Sequence, residues 1–220
     1  MKDDIPMNGL IVCSGEIKDY SYYKDMAGRA DLIICVDGGA HHMVKLGVKP
    51  HILIGDFDSI DEKDYNYYKE LGTEILKFPV EKDETDTELA VLYAINSGCT
   101  EITLIGAIGS RVDHTLANIS LLKRMLDAGV KGWIINENNS ITLIKDHILL
   151  SRKRNEEKVS LMPFTEKVEG ITTKGLYYPL DNATMNAGIT RGISNEFTGD
   201  TAEVTIKSGL LLVMITRDNM

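Results

Sequence analysis

The chain has 220 residues, of which 43% are hydrophobic and 26% are charged. This is the composition of a globular protein with a sizeable core, and it excludes a disordered or fibrous chain. Lys and Arg number 24 against 33 Asp and Glu, which gives a formal net charge of −9. No overall field therefore attracts the protein to nucleic acid or to a membrane surface, and an anionic substrate would need a local device such as a metal ion or an arginine.

Cysteine usage and the N-terminal sequence predict a cytoplasmic protein. Cys13, Cys35 and Cys99 lie far apart beside apolar runs and form no CxxC pair, so we expect reduced thiols in the core. The first residues lack the apolar stretch of a signal peptide. The longest apolar run, Leu210 to Ile215, is too short for the roughly 20 residues that span a bilayer.

Residues 1–138 alternate apolar, strand-like runs with helical patterns. Several runs are apolar at consecutive positions, which predicts strands covered on both faces and hence a doubly wound, mainly parallel α/β sheet. The predicted strands are Leu10–Cys13, Leu32–Val36, Ile52–Ile54, Glu74–Phe78, Ile102–Ile105 and Trp133–Ile135.

Two helices of this domain have clear start signals. Thr85 and Glu88 have the spacing of a capping box, and the apolar pattern after them stops at Gly98. Asp113 is predicted as the N-cap of a second helix, which ends at Gly129. Both helices begin shortly after a predicted strand.

The alternation of apolar runs and helical patterns ends at the turn-forming residues 136–140. This change predicts a second domain over 139–220. Short strands without a strong amphipathic helix predict a small antiparallel β-sandwich or barrel. The basic segment Arg152–Arg154, followed by Glu156 and Glu157, is interpreted as a solvated hairpin tip. The predicted strands are Ser140–Ile144, His147–Leu150, Lys158–Met162, Glu203–Lys207 and Leu211–Thr216.

Asp56 and Asp58 directly follow an apolar strand. In an extended chain, residues i and i+2 point the same way, and at the carboxyl end of a parallel strand they face the crevice where open α/β sheets bind ligands. Two adjacent carboxylates favour a divalent cation, and ligands that are all oxygen suit Mg²⁺. An Asp-rich turn without function is the alternative for this motif alone.

Acidic residues also follow two other predicted strands. Asp83 and Asp86 come after the run ending at Phe78, and Asp113 comes with Arg111 after the run ending at Ile105. An acid in a first helical turn is also stabilised by the helix dipole without any function. Because the carboxyl ends of parallel strands share one edge, the three groups together predict a single site, where Arg111 could hold phosphate.

Several common sites are absent from the sequence. No GxxxxGK[ST] motif occurs, which excludes a Walker-type site, and no GxGxxG follows the first strand, which disfavours dinucleotide binding. His41 and His42 are interpreted as a helix surface pair rather than as metal ligands.

Five elements follow one another along the chain: Asp37-Gly38-Gly39, Gly55-Asp56-Phe57-Asp58-Ser59, Asp83 with Thr85-Asp86, Arg111 with Asp113-His114, and Gly192-Ile193-Ser194-Asn195-Glu196-Phe197. In order and approximate spacing, they resemble the thiamin pyrophosphokinase (thiamine diphosphokinase) family over essentially the whole chain. The resemblance implies an enzyme with an N-terminal α/β domain, residues 1–138, that binds nucleotide and carries out catalysis, and a C-terminal β-sandwich, residues 139–220, that binds thiamine. It implies a homodimer with active sites between subunits, Mg²⁺ as cofactor, ATP as co-substrate, and transfer of pyrophosphate to thiamine with release of AMP.

The resemblance also implies roles for individual residues, and either Asp83 or Asp86 would accept the hydroxyl proton. Tyr178 stands where eukaryotic members tend to carry a tryptophan that stacks on thiamine, and Lys82 replaces a neutral polar residue of some relatives. The implied catalytic residues are Asp56, Asp58, Asp83 and Asp86, with Asp56, Asp58 and Asp86 as metal ligands. The implied nucleotide-binding residues are Asp37, Gly38, Gly39, Arg111, Asp113 and His114, and the implied thiamine-binding residues are Tyr178, Ser194 and Asn195.

Two other functions are weighed against this one. A haloacid-dehalogenase-type phosphatase carries a DxDx[TV] motif after a strand, which residues 56–60 approach, but Ile60 departs from it and no convincing downstream acidic pair follows. The other is a thiamine or nucleotide sensor without turnover. The intact set of carboxylates argues against a sensor. A protein that only binds the thiamine cation needs no additional cluster of the Mg²⁺-binding type.

Overall fold

The computed structural model describes residues 6–58 and 60–218. The chain folds into two compact units, Met1–Glu137 and Asn138–Met220. The first unit combines parallel strands with helices, and the second consists of antiparallel strands, so the predicted fold class is confirmed.

The first unit contains all six of its predicted strands, with ends shifted by at most about two residues. It also contains three helices that the sequence patterns did not delimit, namely α1, α2 and α3. The elements are β1 (Asn8–Val12), α1 (Tyr20–Arg29), β2 (Leu32–Val36), a 3-10 turn (Asp37–Gly39), α2 (Ala40–Leu46), β3 (Ile52–Gly55), α3 (Glu62–Glu70), β4 (Glu74–Lys77), α4 (Asp86–Asn96), β5 (Glu101–Ile105), α5 (Val112–Asp127) and β6 (Lys131–Ile135).

The strands of this unit are parallel and lie in the order β6-β5-β1-β2-β3-β4. The chain moves outward from β1 to β4 and then returns to β5 on the other side of β1. Parallel sheets bind ligands at such a reversal, beyond the carboxyl ends of the strands. The topology therefore places the crevice beside the end of β1.

The core of the first unit follows from the two-residue period of its strands. Leu10 and Val12 of β1 pack with Tyr23 of α1, Met43 of α2 and Tyr68 of α3 on one face of the sheet. Each fully buried side chain of this size contributes roughly 1.5 to 3 kcal/mol. The rigid sheet fixes the positions from which the functional loops depart.

The predicted helix starts are partly confirmed. Thr85 caps α4, since its Oγ1 accepts the Glu88 N–H at 3.2 Å, but the Glu88 carboxylate contacts Arg124 at 2.8 Å instead of closing the capping box. For α5 the prediction is wrong, because Arg111 rather than Asp113 occupies the N-cap. Asp113 is the second residue of the helix, two positions after the N-cap, and the Arg111 guanidinium binds its carboxylate.

The second unit is a sandwich of two antiparallel sheets, in the strand orders β12-β9-β14-β7 and β11-β10-β13-β8. Three of its strands, β10, β11 and β12, were not predicted. The strands are β7 (Asn139–Ile144), β8 (His147–Ser151), β9 (Lys158–Pro163), β10 (Lys167–Lys174), β11 (Ala183–Asn186), β12 (Asn195–Glu196), β13 (Thr201–Thr205) and β14 (Leu211–Thr216).

The basic segment Arg152–Arg154 is not a hairpin tip. It connects β8 to β9, which belong to different sheets, and Arg152 pairs with Asp200 at 3.0 Å. The segment therefore carries the chain from one sheet of the sandwich to the other.

The three cysteines are buried and free, as predicted. Burial raises the pKa of the Cys13 thiol to about 12, so that it stays protonated and unreactive at neutral pH. Within residues 6–58 and 60–218, no helix is both long enough and apolar enough to cross a bilayer.

Candidate active site

A cavity of about 480 Å³ lies at the carboxyl edge of the parallel strands. Its walls come from the loops that follow β1, β2, β3 and β5 and from the start of α4. Its volume is within the usual range for small-molecule sites. Of the acidic and basic side chains predicted to meet there, the cavity receives Asp37, Asp58, Asp86, Arg111 and His114.

The loop after β3 brings Asp56 and Asp58 together by a tight turn. Phe57, between them, has φ of 63°, and the Asp58 N–H donates to Asp56 Oδ1 at 3.1 Å. The expected extended geometry is therefore wrong, although the expected proximity is confirmed. The Phe57 ring lies 5.4 Å from that of Tyr65 and packs on the core, which stabilises the left-handed backbone of this residue.

Asp37 joins this pair from the end of β2. Carboxylate oxygens of Asp37, Asp56 and Asp58 lie within 4.8 Å of one another. The neighbouring Gly55 leaves the necessary space, because a Cβ there would come within 3.1 Å of the Asp37 Cβ. Three carboxylates at this separation form a donor set of hard oxygen ligands, which fits Mg²⁺.

Asp86 lies outside that group and pairs with Lys82. The Lys82 Nζ is 3.0 Å from Asp86 Oδ1 and 3.6 Å from Asp56 Oδ2. The Asp58 N–H bond, together with the Lys82 charge, lowers the pKa of Asp56 despite the opposing effect of burial. The metal set implied by the resemblance thus differs from the observed cluster in having Asp86 in place of Asp37. Asp83 is exposed on the same loop and does not line the cavity.

Arg111 and Asp113 form an exposed ion pair at the start of α5. The guanidinium contacts the carboxylate at 2.7 Å and 3.3 Å, and this hydrogen bonding lowers the pKa of Asp113 to about 2. Arg111 and His114 line the cavity, whereas Asp113 does not. Asp113 therefore orients Arg111.

The glycines after β2 support the site from behind. Gly38 and Gly39 do not line the cavity, and Gly39 is buried against β1, where a Cβ would lie 2.4 Å from the Val12 carbonyl oxygen. Gly39 therefore allows the turn that presents Asp37 to pack closely against β1.

A second pocket, of about 380 Å³, lies within the second unit. Tyr178 and Asn195 line it, and the Asn195 side chain is bonded to both polar groups of the Tyr178 backbone: it accepts from the N–H at 2.9 Å and donates to the carbonyl at 2.8 Å. Ser194, at φ of 59°, donates its N–H to Ser160 Oγ at 3.0 Å and is not part of the pocket wall. Asn195 thus fixes the backbone that carries the Tyr178 ring.

Two family models of known proteins match this chain. The family model "Thiamin pyrophosphokinase, catalytic domain" matches residues 23–134, and "Thiamin pyrophosphokinase, vitamin B1 binding domain" matches residues 146–211. The chain belongs to the thiamin pyrophosphokinase family.

Individual relatives agree with this membership. A thiamine pyrophosphokinase of Bacillus subtilis is 30% identical over 198 residues, which are 88% of this chain and 92% of that protein. A rice thiamine pyrophosphokinase is 30% identical over 215 residues, covering 86% of this chain and 81% of its own. A Bacillus subtilis crystal structure superposes with a TM-score of 0.86 at 28% identity, covering 96% of this chain and all of the other.

Sequence reasoning missed side chains of the cavity in this thiamin pyrophosphokinase family member, among them Thr87 and Asn118. Asn118 is buried on α5 and donates its Nδ2 hydrogen to the Ala107 carbonyl at 2.8 Å, which ties down the loop after β5. A signal existed, because Asn118 falls on the buried face of α5 with Leu122 and Met125, and a buried polar side chain needs a partner.

His42 is also buried, so its interpretation as part of a surface pair is wrong. Its Nε2 lies 2.7 Å from the Gly15 carbonyl oxygen and its Nδ1 lies 2.8 Å from the Tyr20 hydroxyl. A carbonyl only accepts, so Nε2 donates to Gly15, and in the neutral ring Nδ1 accepts from Tyr20. His42 thereby anchors Gly15 at the cavity wall of this thiamin pyrophosphokinase family member.

Acid should destabilise the protein through His42. Burial lowers the pKa of His42 from 6.5 to about 4, so the unfolded state takes up a proton that the folded state does not between these pH values. The free energy of unfolding should therefore fall as the pH drops from about 6.5 to about 4, by on the order of 3 kcal/mol. Urea denaturation at a series of pH values measures this loss.

Two variants separate this effect from general acid denaturation. His42→Gln should be less stable at pH 7 but should lose that part of the acid dependence. His41→Gln removes a neighbour whose charge also lowers the pKa of His42, so it should reduce the acid dependence only in part. Equal pH profiles for wild type and His42→Gln would contradict the assignment.

Proposed function

We propose that this protein transfers the pyrophosphoryl group of ATP to the hydroxyl of thiamine, giving thiamine diphosphate and AMP. The meeting of Asp37, Asp56 and Asp58 at the carboxyl edge of the sheet, beside a cavity that also receives Arg111, carries this proposal. Transfer of a highly charged group depends on positioning and charge neutralisation rather than on covalent chemistry by the protein. Family membership supports the choice of substrates.

The nucleotide is proposed to occupy the larger cavity. Arg111 offers a planar fork suited to phosphate oxygens, and His114 lies on the same wall. Asp113 would hold the Arg111 fork in place, while Gly38 and Gly39 would support the turn that carries Asp37. Backbone at Ser14, Gly15 and Gly109 completes the wall and leaves room for a triphosphate.

Asp37, Asp56 and Asp58 are proposed to hold Mg²⁺. Bound there, Mg²⁺ would neutralise charge on the pyrophosphoryl oxygens. The thiamine hydroxyl would attack the β-phosphorus of ATP, AMP would leave, and a carboxylate would accept the hydroxyl proton. Asp83 and Asp86 remain the proposed candidates for this base, and both precede or begin α4 at the same edge of the sheet.

Thiamine is proposed to bind in the pocket of the second unit, against Tyr178, Ser194 and Asn195. Tyr178 is 65% exposed, so its ring is available to a thiazolium cation, and Asn195 holds its backbone on both sides. The contact with Ser194 and the direct contact with Asn195 follow from the resemblance.

Removal of the Tyr178 ring should raise the KM for thiamine. A cation–π contact is worth about 0.5 to 2 kcal/mol, so Tyr178→Ala should raise KM roughly 2- to 30-fold, while Tyr178→Phe should stay near wild type. Steady-state kinetics with varied thiamine measures this. Tyr67→Ala is a matched control, because Tyr67 is similarly exposed and, like Tyr178, packs edge-on against a tyrosine adjacent in the sequence. An unchanged KM in Tyr178→Ala would contradict the role of the ring.

A homodimer with active sites between subunits and a cytoplasmic location complete the proposal. Exposed apolar side chains in the second unit, such as Ile189 and Ile193, support an interface. The free, buried cysteines support a reducing compartment. Light scattering that gives the mass of one chain would contradict the dimer.

Product analysis tests the proposed function. Purified protein with ATP, Mg²⁺ and thiamine should form AMP and thiamine diphosphate in equal amounts, as followed by chromatography. Phosphate release without thiamine, together with an aspartyl-phosphate trapped at Asp56, would indicate a phosphatase. Binding of both ligands without any product would indicate a sensor.

A further inference from the structure

Lys82 is a buried cation inside an acidic cluster. Its side chain is only 12% exposed, and its Nζ contacts three oxygens: Asp86 Oδ1 at 3.0 Å, Asp56 Oδ2 at 3.6 Å and the Pro79 carbonyl at 3.0 Å. The contact with the Pro79 carbonyl is a hydrogen bond, and those with Asp86 and Asp56 are ion pairs. Lys82 is therefore held at one point, unlike a surface lysine that samples solvent.

The carboxylates around Lys82 repel one another, and the positive charge of Lys82 reduces that repulsion. Asp37, Asp56, Asp58 and Asp86 all lie at the cavity or beside it, and two of them contact Lys82. A lysine ordinarily has a pKa of about 10.4, and two adjacent carboxylates favour its charged form. Lys82 is thus a permanent positive charge at neutral pH.

The same geometry divides the four carboxylates into two groups. Asp37, Asp56 and Asp58 come within 4.8 Å of one another, whereas Asp86 directs Oδ1 at the Lys82 ammonium. A second divalent ion between Asp56 and Asp86 would have to displace Lys82 or lie against a like charge. One divalent ion and Lys82 supply three positive charges against four carboxylates, so a second metal is not needed to relieve their repulsion.

We propose that Lys82 is a positioning residue that takes the place of a second divalent cation at Asp56 and Asp86, so that the protein without nucleotide binds one divalent ion. This inference rests on the proposed function, because the Asp37–Asp56–Asp58 cluster is there the site of Mg²⁺. Lys82 also holds Asp56 at the angle from which its other oxygen, Oδ1, accepts the Asp58 N–H.

Titration with Mn²⁺, a paramagnetic substitute for Mg²⁺, tests the proposal without ATP or thiamine. Electron paramagnetic resonance counts the bound ions in wild type, Lys82→Met and Lys82→Gln. Wild type should bind one Mn²⁺ per chain. The Lys82 variants should bind two, because Asp56 and Asp86 are then left without a cation. One variant is apolar and the other is polar, so the test remains possible if one of them does not fold. Circular dichroism verifies the fold of each.

Lys123→Met is the matched control. Lys123 pairs with Asp127 at the same i,i+4 spacing as Lys82 with Asp86, but its pair is exposed on α5, away from the cavity. It should bind one Mn²⁺, as wild type does. A wild-type stoichiometry other than one, or an unchanged stoichiometry in both Lys82 variants, would overturn the proposal. Because the titration contains no substrate, its failure is distinguishable from a failure to form AMP and thiamine diphosphate.

Discussion

Replacement of Asp58 by asparagine should lower the rate of AMP formation by about 10³-fold or more, the equivalent of roughly 4 kcal/mol of transition-state stabilisation. Asp58 is exposed at the cavity and belongs to the three-carboxylate cluster, so its charge serves the site rather than the core. The backbone N–H that bonds Asp56 stays in place in the variant. Rate measurements at saturating Mg²⁺ and ATP, with a urea denaturation curve, separate loss of activity from loss of fold.

Asp61→Asn is the matched control for Asp58→Asn. Asp61 lies three residues further along and caps α3 by accepting the Lys63 N–H at 3.0 Å. Asparagine caps helices about as well as aspartate, so this variant should keep both stability and activity. Near-normal activity in Asp58→Asn would remove Asp58 from the metal site.

Replacement of Gly15 by alanine should damage both stability and nucleotide binding. A Cβ at Gly15 would lie 2.4 Å from the Gly106 carbonyl oxygen and 2.9 Å from that of Ile108, and neither backbone group can swing aside. The Gly15 N–H also donates to the Gly106 carbonyl at 2.7 Å, which joins the loops after β1 and β5. We expect a loss of roughly 1 to 3 kcal/mol in the free energy of unfolding and a weaker affinity for ATP, measured by urea denaturation and calorimetry.

Gly28→Ala should change the free energy of unfolding in the opposite direction, if Gly15 is required because the carbonyls of Gly106 and Ile108 approach it closely. Gly28 lies in α1, and a Cβ there meets nothing within 4 Å. Alanine should stabilise this helix by about 0.5 to 1 kcal/mol. Equal effects of the two substitutions would contradict the view that the loops after β1 and β5 meet through Gly15.

Consecutive apolar residues and turn formers predicted much of the fold. Runs such as Leu32–Val36 are apolar in the sequence and buried in the structure at every position. A run of this kind is typical of a parallel strand covered on both faces. Strand β10 escaped prediction because Gly170, at φ of 70°, accompanies a register shift between Val168 and Ile171 that breaks the alternation. The segment after β8 was misread because only sheet pairing decides whether two strands form a hairpin.

The candidate site was predictable in its location and less so in its geometry. Topology alone brings the loops after β2, β3 and β5 to one edge. Asp58 and Arg111 accordingly line one cavity, and Asp56 lies beside Asp58. The left-handed turns at Asp37 and Phe57 and the capture of Asp86 by Lys82 depend on packing between distant segments. His42 carried no sign of burial, because its partners, Tyr20 and Gly15, lie more than 20 residues away in the sequence.

In a pyrophosphoryl transfer, the β and γ phosphoryl groups leave one ATP together. Thiamine diphosphate formed from ATP labelled with ³²P at the β position, and separately at the γ position, tests this directly. We expect equal specific radioactivity in the product from both labels, with AMP unlabelled. Label from the γ position alone would show two successive phosphoryl transfers and would exclude transfer of an intact pyrophosphoryl group.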